Sequence, residues 1–192
     1  MSQLTWYVAR ASGLTAWALV LISIVWGLAM ALPRVRFARR NGPAWTLALH
    51  RWLGALALAF IAVHVGAILL DDFVHFSIAA VLVPLVSGWH PVAVAWGIVA
   101  MYLLVAVEVT SLVRRRLPAK VWRQLHLLAY AAFGLSTVHM TTTGTDTTAL
   151  VGGMVGVALG TLVMLGATLV WAWRTEPASR RAASTLERSL PG

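Results

Sequence analysis

The sequence predicts an all-α integral membrane protein: a five-span transmembrane helix bundle with a short non-spanning outer helix. Three observations carry this. Hydrophobic residues make up 60% of the 192 residues and charged residues only 11%, against roughly 45–50% and about 25% in soluble domains. Mean hydropathy is +0.82. Five stretches are apolar over the length of about 20 residues that a helix needs to cross a bilayer.

The spans are expected near Leu14–Leu32, Trp45–Leu70, Pro91–Val113, Ala119–Met140 and Leu150–Trp173. The first has no basic flank and no small-residue cleavage site, so it is not a signal peptide. Phe76–Val86 is apolar but too short to span, and Pro84 interrupts it. It is expected to lie in the interface or the outer loop. On the fifth span Gly152, Gly156 and Gly160 repeat every fourth residue, a face suited to tight helix contact.

The net charge of +9 is unevenly placed. Arg34, Arg36, Arg39, Arg40 and Arg51 flank the first connection, and Arg114, Arg115, Arg116, Lys120 and Arg123 flank the third. Arg174, Arg180, Arg181 and Arg188 lie in the tail, while the second and fourth connections hold no Lys or Arg. The positive-inside rule then gives a multi-pass protein of the cytoplasmic (inner) membrane, N-terminus outside and C-terminus cytoplasmic. The basic balance is thus a topology signal, and it argues for the lipid bilayer and against nucleic acid as a partner. Trp45, Trp52, Trp122, Trp171 and Trp173 near the inner boundary, with Trp6, Tyr7 and Trp89 near the outer, read as an aromatic belt. The chain has no cysteine, which excludes disulfides, thiolate-bound zinc, iron–sulfur clusters and covalently attached c-type haem.

Histidine inside a membrane is a functional signal. His50 and His64 fall on the second predicted span, His126 and His139 on the fourth, with spacings of 14 and 13 residues. Both helices run the same way, so His50 matches His126 at the inner depth and His64 matches His139 at the outer depth. At 1.5 Å per residue the two levels are about 20 Å apart. One isolated histidine would read as interhelical hydrogen bonding; four at two matched depths read as axial ligands to two b-type haems. His50/His126 would hold the inner haem and His64/His139 the outer. Gly54, Ala57, Gly66 and Gly134 are small residues available beside a macrocycle. Rotation fits less well on the fourth span: 13 residues leave His126 and His139 about 140° apart on an ideal helix, so either the two haems are differently oriented or the helix is locally irregular, with Gly134 the candidate.

The paired histidines, with the run Trp122-Arg123-Gln124-Leu125-His126-Leu127-Leu128-Ala129-Tyr130, carry a family resemblance. The 14-then-13 arrangement resembles the ferric reductase and NADPH oxidase transmembrane domain, in which that uneven spacing recurs. The run is also similar to the haem-binding subunit of the periplasmic methionine sulfoxide reductase system. The resemblance covers roughly residues 10–173 and implies a b-type di-haem cytochrome passing electrons across the membrane. Family members usually have six spans, with ligands on the third and fifth; the five spans expected here would correspond to the last five of those six. NADPH oxidases carry a further histidine one turn beyond the outer ligand, a position held here by Ile68, which argues against dedicated superoxide production.

Residues 1–173 are therefore read as a transmembrane di-haem cytochrome b domain and 174–192 as a short basic cytoplasmic tail. That tail is too short to fold a flavin or nicotinamide site, so electrons are expected from a quinol or a separate flavoprotein. The expected acceptor is ferric iron or an extracytoplasmic redox protein. Haem propionates need donors: Arg51, Arg123, Gln124 and Trp122 are the inner candidates. Arg10, His75, His90 and Thr141–Thr143 are the outer ones, Arg10 reading equally as an interfacial arginine that snorkels. Asp71, Asp72 and His75 form an outer cluster that reads as a solvated loop or a metal site. Glu108, the one acid within a span, either carries protons for quinol chemistry or pairs with Arg51 or Arg123, and it reads equally as a carboxylate that simply reaches the inner interface. Two other functions fit the same sequence: a quinol-oxidising subunit of a two-component reductase with a single haem, and a haem-free membrane scaffold or transporter component.

Overall fold

The computed structural model describes residues 2–31, 43–71 and 75–144, together with 152, 153, 155, 156, 160 and 161. The chain divides into two compact units, Met1–Val155 and Gly156–Gly192. Of the second, Gly156, Gly160 and Thr161 are described, all helical. Arg34, Arg36, Arg39, Arg40, Asp72, most of the predicted fifth span and the tail lie outside the described residues.

The first unit is helical throughout its regular structure. Helix α1 runs over Ser2–Ala31, α2 over Pro43–Leu69, α3 over Ile78–Leu82 and α4 over Pro91–Leu112. A 3₁₀ turn at Arg114–Arg116 leads to α5 (Ala119–His126) and α6 (Leu128–Thr143). Three of these are long and apolar enough to cross a membrane: Gln3–Ala31, Ala44–Leu69 and Pro91–Leu112. Their surfaces are apolar outward as well as inward. Ile22, Val25, Leu56, Val63, Val105 and Val109 are exposed large hydrophobic side chains midway along the spans, as lipid solvation requires.

Helix ends follow local chemistry. Ser77 caps α3, its hydroxyl accepting from the Ala80 N–H at 3.1 Å. Val83, extended ahead of Pro84, ends that helix after five residues, so the short non-spanning helix is present and shorter than Phe76–Val86. Pro91 opens α4 at a position where its missing N–H leaves no bond unmade. Helix α1 starts a dozen residues before the predicted Leu14. Trp6, Tyr7 and Arg10 therefore lie inside the helix rather than ahead of it.

The predicted fourth span is broken. The break comes at Leu127, directly after His126, whereas α6 runs unbroken through Gly134. There the Tyr130 N–H donates to the Leu127 carbonyl at 3.1 Å, three residues back instead of four. Residues at three per turn advance about 120° rather than about 100°. A few such residues bring His139 back toward the face of His126, in the direction the spacing demanded.

Packing divides the unit into two halves. Helix α1 packs chiefly on α2, and α4 chiefly on α6, while α1–α6 and α2–α4 contacts are lighter. Trp17 of α1 joins the halves at mid-height. It stacks on Phe133 of α6 with centroids 5.4 Å apart, and its indole N–H donates to Thr137 Oγ1 at 2.9 Å. Phe133 is wholly buried.

Candidate functional site

His50, His64, His126 and His139 meet in two pairs. The rings of His50 (α2) and His126 (the last residue of α5) have centroids 5.9 Å apart and cross at 67°. Those of His64 (α2) and His139 (α6) are 6.4 Å apart and cross at 84°. Each pair spans the two halves of the bundle, with Trp17 and Phe133 between the two levels along the chain.

Each histidine is also anchored within its own half. His64 Nδ1 donates to the Ala9 carbonyl at 2.7 Å, and His139 Nδ1 to the Ala93 carbonyl at 2.8 Å. His50 Nδ1 is 3.2 Å from Ser23 Oγ, and His126 Nδ1 is 3.3 Å from Ser111 Oγ. Helix α1 thus anchors both histidines of α2, and α4 anchors those of α5 and α6. In all four rings the bond is made through Nδ1, which leaves Nε2 as the nitrogen able to bind a metal.

Glycines permit these contacts. A Cβ on Gly13 would lie 2.9 Å from His64 Nδ1, one on Gly27 3.1 Å from His50 Cε1, and one on Gly97 2.8 Å from His139 Nδ1. Each glycine sits four residues after an anchor: Ala9 and Gly13, Ser23 and Gly27, Ala93 and Gly97. A helical carbonyl already bonds the N–H four residues on, and its second lone pair is open only if that later residue lacks a bulky side chain. The small-residue pattern on α1 and α4 is therefore what exposes an acceptor to imidazole. His126 has no such glycine; it stacks instead on Trp122, with centroids 5.1 Å apart at 25°.

Of the small residues expected beside a macrocycle, Gly66 and Gly134 have nothing within 4 Å of a Cβ. Ala57 is 1% exposed within the packing, and Gly54 carries the Glu108 carboxylate directly against it. Glu108 has Arg51 as its charged neighbour.

The predicted propionate donors are distributed as follows. Arg10 is one residue from the anchoring Ala9 and lies over the Trp6 ring at 4.6 Å. Arg51 follows His50 directly, and Arg123 donates through Nε to the Ala119 carbonyl at 3.4 Å, both exposed. The Trp122 Nε1–H is buried with no hydrogen-bond partner among the described residues. Arg114 lies over the same indole at 5.1 Å, an addition the sequence did not single out. Thr141, Thr142 and Thr143 spend their hydroxyls on carbonyls of their own helix. The outer cluster does not assemble as a helical pair. Asp71 accepts from Thr5 Oγ1 at 3.0 Å, and His75 stands outside any helix with φ 51°. Among the described residues no group of three or more His, Asp or Glu side chains gathers into a metal site.

The sequence has a counterpart among known families. The family model for the ferric reductase-like transmembrane component matches residues 12–137, well over half of the chain. The chain belongs to the ferric reductase-like transmembrane family. His50, His64 and His126 lie inside the matched residues of this ferric reductase-like chain, and His139 lies two positions beyond them. No curated protein and no solved structure matches it. Membership assigns the ferric reductase-like chain to transmembrane electron transfer as a class.

Proposed function

We propose that the chain is a b-type di-haem cytochrome, with His50/His126 holding one haem and His64/His139 the other. The observation that carries this reading is the pairing of all four intramembrane histidines at two levels. Two imidazoles bound to one metal through nitrogen, at bonds of about 2 Å, have ring centroids about 6 Å apart, the separation of both pairs. The orphaned Trp122 Nε1–H beside His126 suits a carboxylate acceptor such as a propionate, with Arg114 over the same indole supplying positive charge.

A haem held by two imidazoles would supply one-electron transfer rather than bind a substrate. The chain's own residues orient the rings, hold the coordinating nitrogens free of protons and keep the levels apart. The Ala9 and Ala93 carbonyls can only accept, so Nδ1 of His64 and His139 keeps its proton and Nε2 presents a lone pair. Trp17 and Phe133 fix the separation of the levels by packing one half against the other. Electrons enter from a quinol or a separate flavoprotein and leave for ferric iron or an extracytoplasmic redox protein. The charge bias supports a cytoplasmic-membrane location with the His50/His126 end on the cytoplasmic side.

The test is a reduced-minus-oxidised optical spectrum of the purified chain with a pyridine haemochrome assay. Two b-type haems per chain is the expected result. One haem would favour the single-haem, quinol-linked subunit, and a colourless protein after haem-supplemented expression would overturn the reading.

A further inference from the structure

The two histidine pairs are held by chemically different anchors, and this has a consequence for electron affinity. We propose that Ser23 and Ser111 are positioning residues whose hydroxyls accept weakly from Nδ1–H of His50 and His126, raising the electron donation of that pair to a bound metal, but by less than the carbonyls raise that of the His64/His139 pair. The inference rests on the haem reading above and goes beyond it by assigning each level its own tuning groups.

Coordination through Nε2 requires the remaining proton to sit on Nδ1. At His64 and His139 that proton points to a backbone carbonyl at 2.7 and 2.8 Å. At His50 and His126 the corresponding atom is a serine hydroxyl at 3.2 and 3.3 Å. A carbonyl oxygen only accepts, whereas a hydroxyl both donates and accepts. Once Nε2 is bound, the serine must accept, and the longer contact makes the weaker bond. The more strongly Nδ1–H is bound, the more basic the coordinating nitrogen becomes. A more basic ligand stabilises ferric over ferrous iron and lowers the reduction potential. The serines therefore leave their pair less electron-rich, and deleting a hydroxyl removes what basicity it does confer. Gly27 admits the His50 ring to Ser23, so this anchor is built as deliberately as the carbonyl anchors.

The test is a potentiometric titration of the haem absorbance in the full-length chain, comparing wild type with S23A, S111A and the double variant. The potential that survives in His64→Ala identifies the His50/His126 haem. That potential should rise in each single variant and further in the double, while the other stays fixed. S23T, which keeps an acceptor, should remain near wild type. If alanine loses the haem, S23C and S111C keep the volume with a weak acceptor and should show the same rise. Unmoved potentials, a shift confined to the other haem, or equal shifts of both would overturn the inference while leaving the di-haem reading intact. A wild type without haem overturns both.

Discussion

The two levels of the bundle invite comparison because the same helices build both. At the His64/His139 level the anchors are backbone carbonyls of Ala9 and Ala93, and glycines four residues on make room at both rings. At the His50/His126 level the anchors are side-chain hydroxyls, one ring has its glycine, and the other leans on Trp122 beneath Arg114. A backbone anchor cannot be removed by substitution, since every residue type carries the carbonyl; only access to it can be blocked. A hydroxyl anchor can be deleted outright. The comparison teaches that equal-looking ligand pairs differ in which positions control them: glycines at one level, serines and an indole at the other.

The largest expected effect breaks one level alone. His64→Ala should remove one of two haems and leave the other reducible, and His50→Ala should remove the other; haem counts per chain check this. Retention of both haems in either variant would sink the pairing. Next in size is Gly97→Leu, which drives a side chain into the His139 ring. Overpacking typically costs about 1–3 kcal/mol, and here it should empty the His64/His139 level selectively. Gly27→Leu should do the same at the His50/His126 level, and haem loss from the opposite level in either case would overturn the assignment of these glycines.

Phe133→Ala treats the levels alike. Removing a wholly buried ring between them should lower stability by about 3 kcal/mol, read as a lower thermal midpoint in detergent. Haem loss should follow from both levels together; loss from one alone would place Phe133 in that level's site. The smallest expected effect is none. Ile68→His lies outside the ligand set and should leave haem content and both potentials unchanged.

Much of this site was legible in the sequence. Four histidines at 14- and 13-residue spacings on parallel spans fix depth, because rise per residue is a constant of the helix. The mismatch in rotation was legible too, as a requirement for an irregular turn. Its place was not. Gly134 carried the usual compositional sign of a kink, yet the break falls at Leu127, where neither Gly nor Pro marks it and a locally tightened hydrogen bond turns the chain in the needed direction. The anchors were missed for a related reason. Ser23, Ser111, Gly13, Gly27 and Gly97 are ordinary residues for membrane helices, and only the apposition of α1 to α2 and of α4 to α6 gives them a ring to hold. A signal existed in the repeat of an anchor followed four residues later by glycine, but it has no meaning until the partner helix is known.

The sequence by itself determined that this chain is helical, spans a membrane and carries four histidines at two depths. These are consequences of composition and of one-dimensional spacing, which any helix converts into distance. The tertiary structure decided which nitrogen of each histidine is engaged, what engages it and how close the paired rings stand. Those depend on the rotation and apposition of helices far apart in sequence: Ala9 lies 55 residues from the ring it holds. Hydrogen bonds act over about 3 Å, so contacts of that length are settled by packing between helices.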